Sequence, residues 1–182
     1  MDASYTWSHA IDNVDPDIPG QNPNDLNFTG KQEIGNAIFD QRQRFVLSGF
    51  YVAPLKINIG GVATLSTGLP YNIVTGTTNS GDTGATTDRP VVNGVVISRN
   101  AGRGRPIYDV APYVERTFGF GTERLRLNLR AEAFNVFNHA NFVGYNGTYG
   151  NGAAPASLGQ PAQGITNQLP ARSMQFSARW SF

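Results

Sequence analysis

The sequence predicts an all-β fold, an antiparallel meander of about six transmembrane strands. Three observations carry that expectation. Six separate segments bounded by turn residues read as strands, and apolar and polar residues alternate most clearly with period 2 in three of them, as they do along a strand whose two faces meet different surroundings. The connections between those segments are short and long in strict turn. The last segment keeps its alternation to the final residue and closes on Phe182.

In chain order, Ser4 to His9 alternates Ser and Thr with Tyr5 and Trp7. Arg44 to Ala53 is apolar on both faces, so the pattern assigns it no sides. Lys56 to Ile73 puts Ile57, Ile59, Ala63, Leu65, Leu69, Tyr71 and Ile73 on one face and Lys56, Asn58, Thr64, Ser66 and Asn72 on the other. Val110 to Phe120 is interrupted by Pro112 and carries Arg116 among otherwise apolar positions. Glu123 to Ala133 separates Leu125, Leu127, Leu129, Ala131 and Ala133 from Arg124, Arg126, Asn128, Arg130 and Glu132. That polar side suits either the wet face of a soluble sandwich or the lumen of a barrel. Arg172 to Phe182 sends Met174, Phe176, Ala178, Trp180 and Phe182 one way and Ser173, Gln175, Ser177, Arg179 and Ser181 the other. The longer runs exceed the roughly five or six residues of a globular strand and reach the roughly nine to eleven of a membrane strand.

The connections separate the two architectures. Ala53-Pro54-Leu55-Lys56 and Gly119-Phe120-Gly121-Thr122 are tight. Ala10 to Gln43, Val74 to Asp109 and Asn138 to Ala171 are long and rich in Gly, Asn, Pro, Asp or Thr. Sorting of this kind matches a partial outer-membrane β-barrel, with short periplasmic turns and long extracellular loops; a soluble sandwich has no reason for it. Phe50, Tyr51, Phe118, Phe120, Trp180 and Phe182 lie beside the short turns, and Trp7, Tyr71, Tyr113, Phe134 and Phe137 lie nearer the long loops. Two aromatic girdles are the expectation.

Composition agrees. The 182 residues hold 14 Lys and Arg against 13 Asp and Glu, so electrostatics offer no case for a nucleic-acid partner. There is no cysteine, which excludes disulfides and thiolate chemistry. No window reaches the roughly 18 apolar residues of a spanning helix. Crossing then requires tilted strands in a closed barrel. Met1 to Trp7 lacks the basic start, apolar middle and cleavage site of an export signal. The expectation is that a signal has been removed or that the chain is a piece of something longer.

Several stretches resemble the C-terminal part of an Oar-like TonB-dependent receptor. They are Phe39-Asp40-Gln41-Arg42-Gln43-Arg44-Phe45-Val46, Ser66-Thr67-Gly68-Leu69-Pro70-Tyr71, Asp88-Arg89-Pro90 and, most specific, Ala131-Glu132-Ala133-Phe134-Asn135-Val136-Phe137-Asn138-His139-Ala140-Asn141-Phe142. The terminus resembles a barrel-assembly signal, with Gln175, Ser177, Trp180 and Phe182 in its four places and Ser177 where glycine is usual. The resemblance implies that residues 1–182 are part of a receptor barrel of about 22 strands, with the plug and the N-terminal strands absent. It implies outer-membrane lipid, the barrel-assembly machinery and the rest of the receptor as partners, and TonB only through the missing plug. The alternative is a small or oligomeric outer-membrane barrel that serves adhesion or interaction rather than transport.

No catalytic arrangement is expected. Thr78 to Asp88 resembles a calcium loop, but its carboxylates lack the alternate spacing and closing Glu of an EF-hand. His9 and His139 have no second His or carboxylate at a ligand spacing. There is no nucleophile elbow, and Gly102-Arg103-Gly104 and Gly119-Phe120-Gly121 do not complete a dinucleotide fingerprint. No cofactor or metal is expected. Arg124, Arg126, Arg130 and Arg179, with Glu132, are expected to line one lumen wall, either against a plug or an anionic solute or as a hydrated ion-pair ladder.

Overall fold

Six long strands form one antiparallel sheet in the computed structural model, which describes residues 1–13, 30–77, 88–121, 125–150 and 152–182. They are β1 (Asp2–Trp7), β2 (Gln43–Ala53), β3 (Ile57–Ser66), β4 (Ile107–Gly119), β5 (Arg126–Phe134) and β6 (Ser173–Ser181). Their order in the sheet is their order in the chain, and each pairs only with its sequence neighbours. The sheet does not close, leaving β1 and β6 as its edges.

The register settles which side chains share a face, because directly paired residues in an antiparallel ladder point the same way. Leu127, Leu129 and Ala131 pair with Trp180, Ala178 and Phe176 and with Phe118, Arg116 and Val114. From there the same face runs through Ile57, Ile59 and Leu65, Phe45, Leu47 and Tyr51, and Tyr5 and Ala3. Arg116 is the only charged side chain on this face among the described residues. Met174, Phe176 and Phe182 are 63, 77 and 99 % exposed there. So large a continuous apolar surface is foreign to a water-soluble monomer and is the lipid-facing side of a barrel wall.

Several expectations change. The β2 faces are now assigned, with Val46, Ser48, Phe50 and Val52 on the inner side. The run expected to continue to Ile73 stops at Ser66. The next pair of the ladder is only half made: the Thr67 N–H still donates to the Gln43 carbonyl at 3.0 Å, but the Gln43 N–H donates to Thr67 Oγ1 at 3.2 Å in place of the Thr67 carbonyl. Pro70–Tyr71 then leaves the sheet to pair with Gly102–Arg103. The interruption expected at Pro112 is absent. The β4–β5 ladder begins at Tyr113↔Glu132, and the missing N–H of Pro112 falls one residue beyond it, where no ladder bond is lost. Glu123 and Arg124 lie outside the described residues, and β5 runs from Arg126. Phe50, Tyr113 and Phe134 belong to the inner face rather than to an aromatic girdle.

The short turn Pro54–Lys56 places Leu55 (φ 63) and Lys56 (φ 57) in the left-handed region. The described parts of the long connections form a folded cap at the opposite end. Within it Ile11–Asp12 pairs with Gly35–Asn36. Val91–Val92 pairs with Val95–Val96 around Asn93 (φ 52) and Gly94 (φ 77), the signs of a type I′ hairpin. Among the described residues the buried apolar side chains are Ala37, Pro70 and Pro90, while Glu33, Asp40, Asp88, Arg89, Arg99, Asn100 and Asn141 are buried too. The interior of this protein therefore sits in the cap and is polar, and the wall has no interior of its own.

Candidate functional site

The candidate site is the inner face of the wall together with the cap above it. The cap is organised around Asp40, whose side chain is fully buried. Its carboxylate accepts from Arg42 Nε at 2.6 Å, Arg103 Nη2 at 2.8 Å and the Ala10 N–H at 2.8 Å. Arg103 Nη1 donates at 2.6 Å to the Asp40 carbonyl. Burial pushes the Asp40 carboxyl up, but the guanidinium groups of Arg103 and Arg42 and the Ala10 amide outweigh it and hold the pKa at about 2. Arg42 Nη2 also donates to His9 Nε2 at 2.9 Å and Asn36 Oδ1 at 3.0 Å.

Further pairs tie the first long connection to the second. Arg89 meets Glu33 at 2.5 Å with both side chains nearly inaccessible. Arg99 pairs with Asp12. Asn36 Nδ2 donates to the Asn100 carbonyl at 3.0 Å, and Asn100 Nδ2 returns the bond to the Asn36 carbonyl at 2.8 Å. The third connection joins through Tyr145, which stacks on Tyr71 with centroids 5.3 Å apart and accepts from the Arg105 N–H at 2.7 Å. The tyrosines come so close to Gly102 and Gly104 that a Cβ there would lie 2.4 and 2.5 Å from ring carbons. Those two glycines, which complete no dinucleotide fingerprint, give the rings a flat seat.

The stretch Ala131 to Phe142 makes the exit from β5 into the cap. Asn135 and Asn138 take positive φ. Asn135 Nδ2 donates to the carbonyls of His139 and Pro170, and Asn138 Oδ1 accepts from the Arg172 N–H. Asn141 clasps Tyr108, accepting from its N–H at 2.8 Å and donating to its carbonyl at 2.7 Å, which imitates a strand partner. His139 Nδ1 lies 2.7 Å from Asn141 Oδ1. The side chains of Asp40, Arg42 and Arg89 carry no site role in the sequence pattern. All three belong to the stretches that carry the family resemblance, which is the signal available for them.

The inner wall has two halves. On β4, β5 and β6 it is polar. Arg130 meets Glu132 at 2.8 Å and Glu115 at 3.5 Å, and its guanidinium sits 3.9 Å from the centre of the Tyr113 ring. Asn128 Nδ2 donates to Thr117 Oγ1 at 3.0 Å and pairs in register with Arg179. Arg126, Arg130, Glu132 and Arg179 thus share this face, and Arg124 lies outside the described residues. On β2 and β3 the same face is mixed, with apolar Val46, Phe50, Val52 and Val62 set among Arg44, Ser48, Asn58 and Thr64. Phe50, Val52 and Val62 are 68, 56 and 47 % exposed, and the Tyr113 ring lies against Gly60 beside them.

The proposed assembly residues divide between the two sides. Gln175 and Ser177 pair with Glu132 and Arg130 on the inner face, while Trp180 pairs with Leu127 on the outer one. Trp180 meets Phe120 with centroids 5.8 Å apart, at the short-turn end. Of the calcium-like loop, residues 78–87 lie outside the described residues, and Asp88 is buried with its carbonyl accepting from the Thr75 N–H at 2.7 Å.

The chain matches the protein family described as an outer membrane beta barrel domain over residues 1–98 and again over residues 94–175. No curated protein and no solved structure matches it.

Proposed function

The chain belongs to the outer membrane beta barrel domain family, and from that premise we propose that its strands form one sector of the wall of an Oar-like TonB-dependent receptor. Its location is the cell outer membrane. The observation that carries the receptor reading is the uncovered apolar patch of Phe50, Val52 and Val62 on the inner face. A water-filled pore gains nothing from such a patch, because its lumen is polar. A wall that receives a plug gains a seat for it. The open edges β1 and β6 favour completion by further strands, since unpaired backbone groups are costly in lipid. In this reading residues 1–182 supply wall and ligand-facing loops. Arg126, Arg130 and Arg179 face the plug or an anionic solute. The barrel-assembly machinery inserts the wall, TonB acts only through the plug, and no catalytic step or cofactor is involved.

Thiol labelling tests it, because the chain has no cysteine of its own. Phe50→Cys, in cells that make the protein in their outer membrane, should react with a bulky hydrophilic maleimide at least tenfold more slowly than Val95→Cys in the cap. Equal rates would refute a covered inner patch. A second reading, an adhesion or interaction barrel, is favoured by the exposed cap residues Ile34, Phe39 and Val95, at 50, 61 and 68 %. It requires the 182-residue chain to purify in detergent as a closed monomer or ring, and the receptor reading requires that it does not.

A further inference from the structure

We infer that the outer face of the wall carries a phospholipid site, with the lipid phosphate on Arg116 and one acyl chain in the furrow that starts beside it. Arg116 is the only charge on the lipid-facing side among the described residues, paired in register with Ile57 and Leu129. Its guanidinium lies 4.6 Å from the centre of the Phe118 ring, and among the described residues it meets no carboxylate. A cation facing lipid is costly unless it reaches an anion or the interface. Arg116 stands three residues before the end of β4 at Gly119, roughly 10 Å from the short-turn rim. That depth belongs to the periplasmic leaflet, where phosphate is the available anion.

The shape fits the same occupant. A groove of about 470 Å³ opens at Arg116 between Val114, Phe118, Leu129, Phe176 and Ala178, within the roughly 300–1,000 Å³ of small-molecule sites. It runs on into a second hollow of about 330 Å³ that shares Val114, Ala131 and Phe176 and reaches Pro112 and Met174. The furrow therefore climbs from the charge toward the middle of the bilayer, over a floor of alanines, in the direction an acyl chain takes from its headgroup. Lys56 adds a second cation one residue from Ile57, the register partner of Arg116.

Native mass spectrometry of the full 182-residue chain, released from zwitterionic micelles, reads the site with phosphatidylglycerol as the probe. Inorganic phosphate alone and diacylglycerol alone are the partial probes. Phosphatidylglycerol should be retained and each partial probe at least tenfold less. Arg116→Gln should reduce retention at least tenfold and Arg116→Lys much less. Retention of diacylglycerol equal to that of phosphatidylglycerol, or unchanged retention in Arg116→Gln, overturns the inference. Should Arg116→Gln not fold, two arms remain. Ala131→Phe, an apolar change on the lipid face, fills the furrow and should also displace the lipid. In a Trp7→Phe background, phosphatidylglycerol with brominated chains should quench Trp180 in the native wall and not in Ala131→Phe. Equal quenching in both would equally refute the site.

Discussion

Asp40→Asn offers the most direct test of how the cap is held. The substitution keeps the shape of the side chain and removes its charge. Two guanidinium groups then lose their counter-ion, and the amide nitrogen faces donors where an oxygen accepted from Arg42 and Arg103. The magnitude follows from the carboxyl itself. Its pKa falls from 3.8 to about 2 in the folded cap, and that difference corresponds to about 2 kcal/mol of stability. Because the folded value is the lower one, the stabilisation is complete above pH 3.8 and disappears as pH falls toward 2. Hydrogen exchange of the Ala10 and Ala37 amides is a suitable assay. The first donates to Asp40 Oδ1 and the second to the Ala10 carbonyl. At neutral pH the variant should exchange about 30-fold faster at these amides. Between pH 4 and pH 2 the native protein should lose its protection, and the variant, having none left to lose there, should respond far less. An identical acid response in both proteins would move the acid dependence to another carboxylate and refute the central place given to Asp40.

Other outcomes follow from the same geometry. Gly102→Ala should destabilise the cap by about 1–3 kcal/mol, since its methyl has to displace the Tyr71 ring; loss of the tyrosine near-ultraviolet dichroism and faster loop proteolysis measure it. Lys56→Gly should stabilise the wall by about 1 kcal/mol by relieving a left-handed non-glycine residue, read as a higher urea midpoint in detergent. Changing both Trp180 and Phe182 to Ser should lower the amount of protein assembled in the outer membrane, with no change in synthesis. Heat-modifiable migration of membrane fractions reports it, and unchanged assembly would remove the signal role from the terminus.

The faces of β3, β5 and β6 were legible because the pleat imposes period 2 on any strand that separates lipid from a polar interior. For β2 the same rule was silent, since Phe50 and Val52 make its inner side apolar as well. The cap was illegible for a different reason. Its bonds join residues far apart in sequence, such as Arg103 and Asp40 or Arg99 and Asp12, and no local pattern marks a pair of that kind. Inside the second long connection, Asn93-Gly94 between two valine pairs is a strong hairpin signal. The halt at Ser66 accompanies the Thr67 hydroxyl taking the Gln43 N–H, which neighbouring residues do not announce. The resemblance pointed to Asp40 and Arg89 without saying what they hold.

The polar interior of the cap also dictates an order of events. Asp12, Glu33, Asp40, Arg89, Arg99 and Arg103 lie on segments joined by β2 and β3, and these segments end up on the far side of the membrane. Arg42 lies only two residues from Asp40, but the other partners lie dozens of residues apart, so these charges have to cross while still hydrated or otherwise shielded. The long-range pairs can therefore form only after the hairpin between them has been threaded and laid into the wall. Non-local contacts of this kind come late in folding. The cap thus acts as a latch that engages once insertion is complete, and its protection from protease is a clock for the final step of biogenesis rather than for the start.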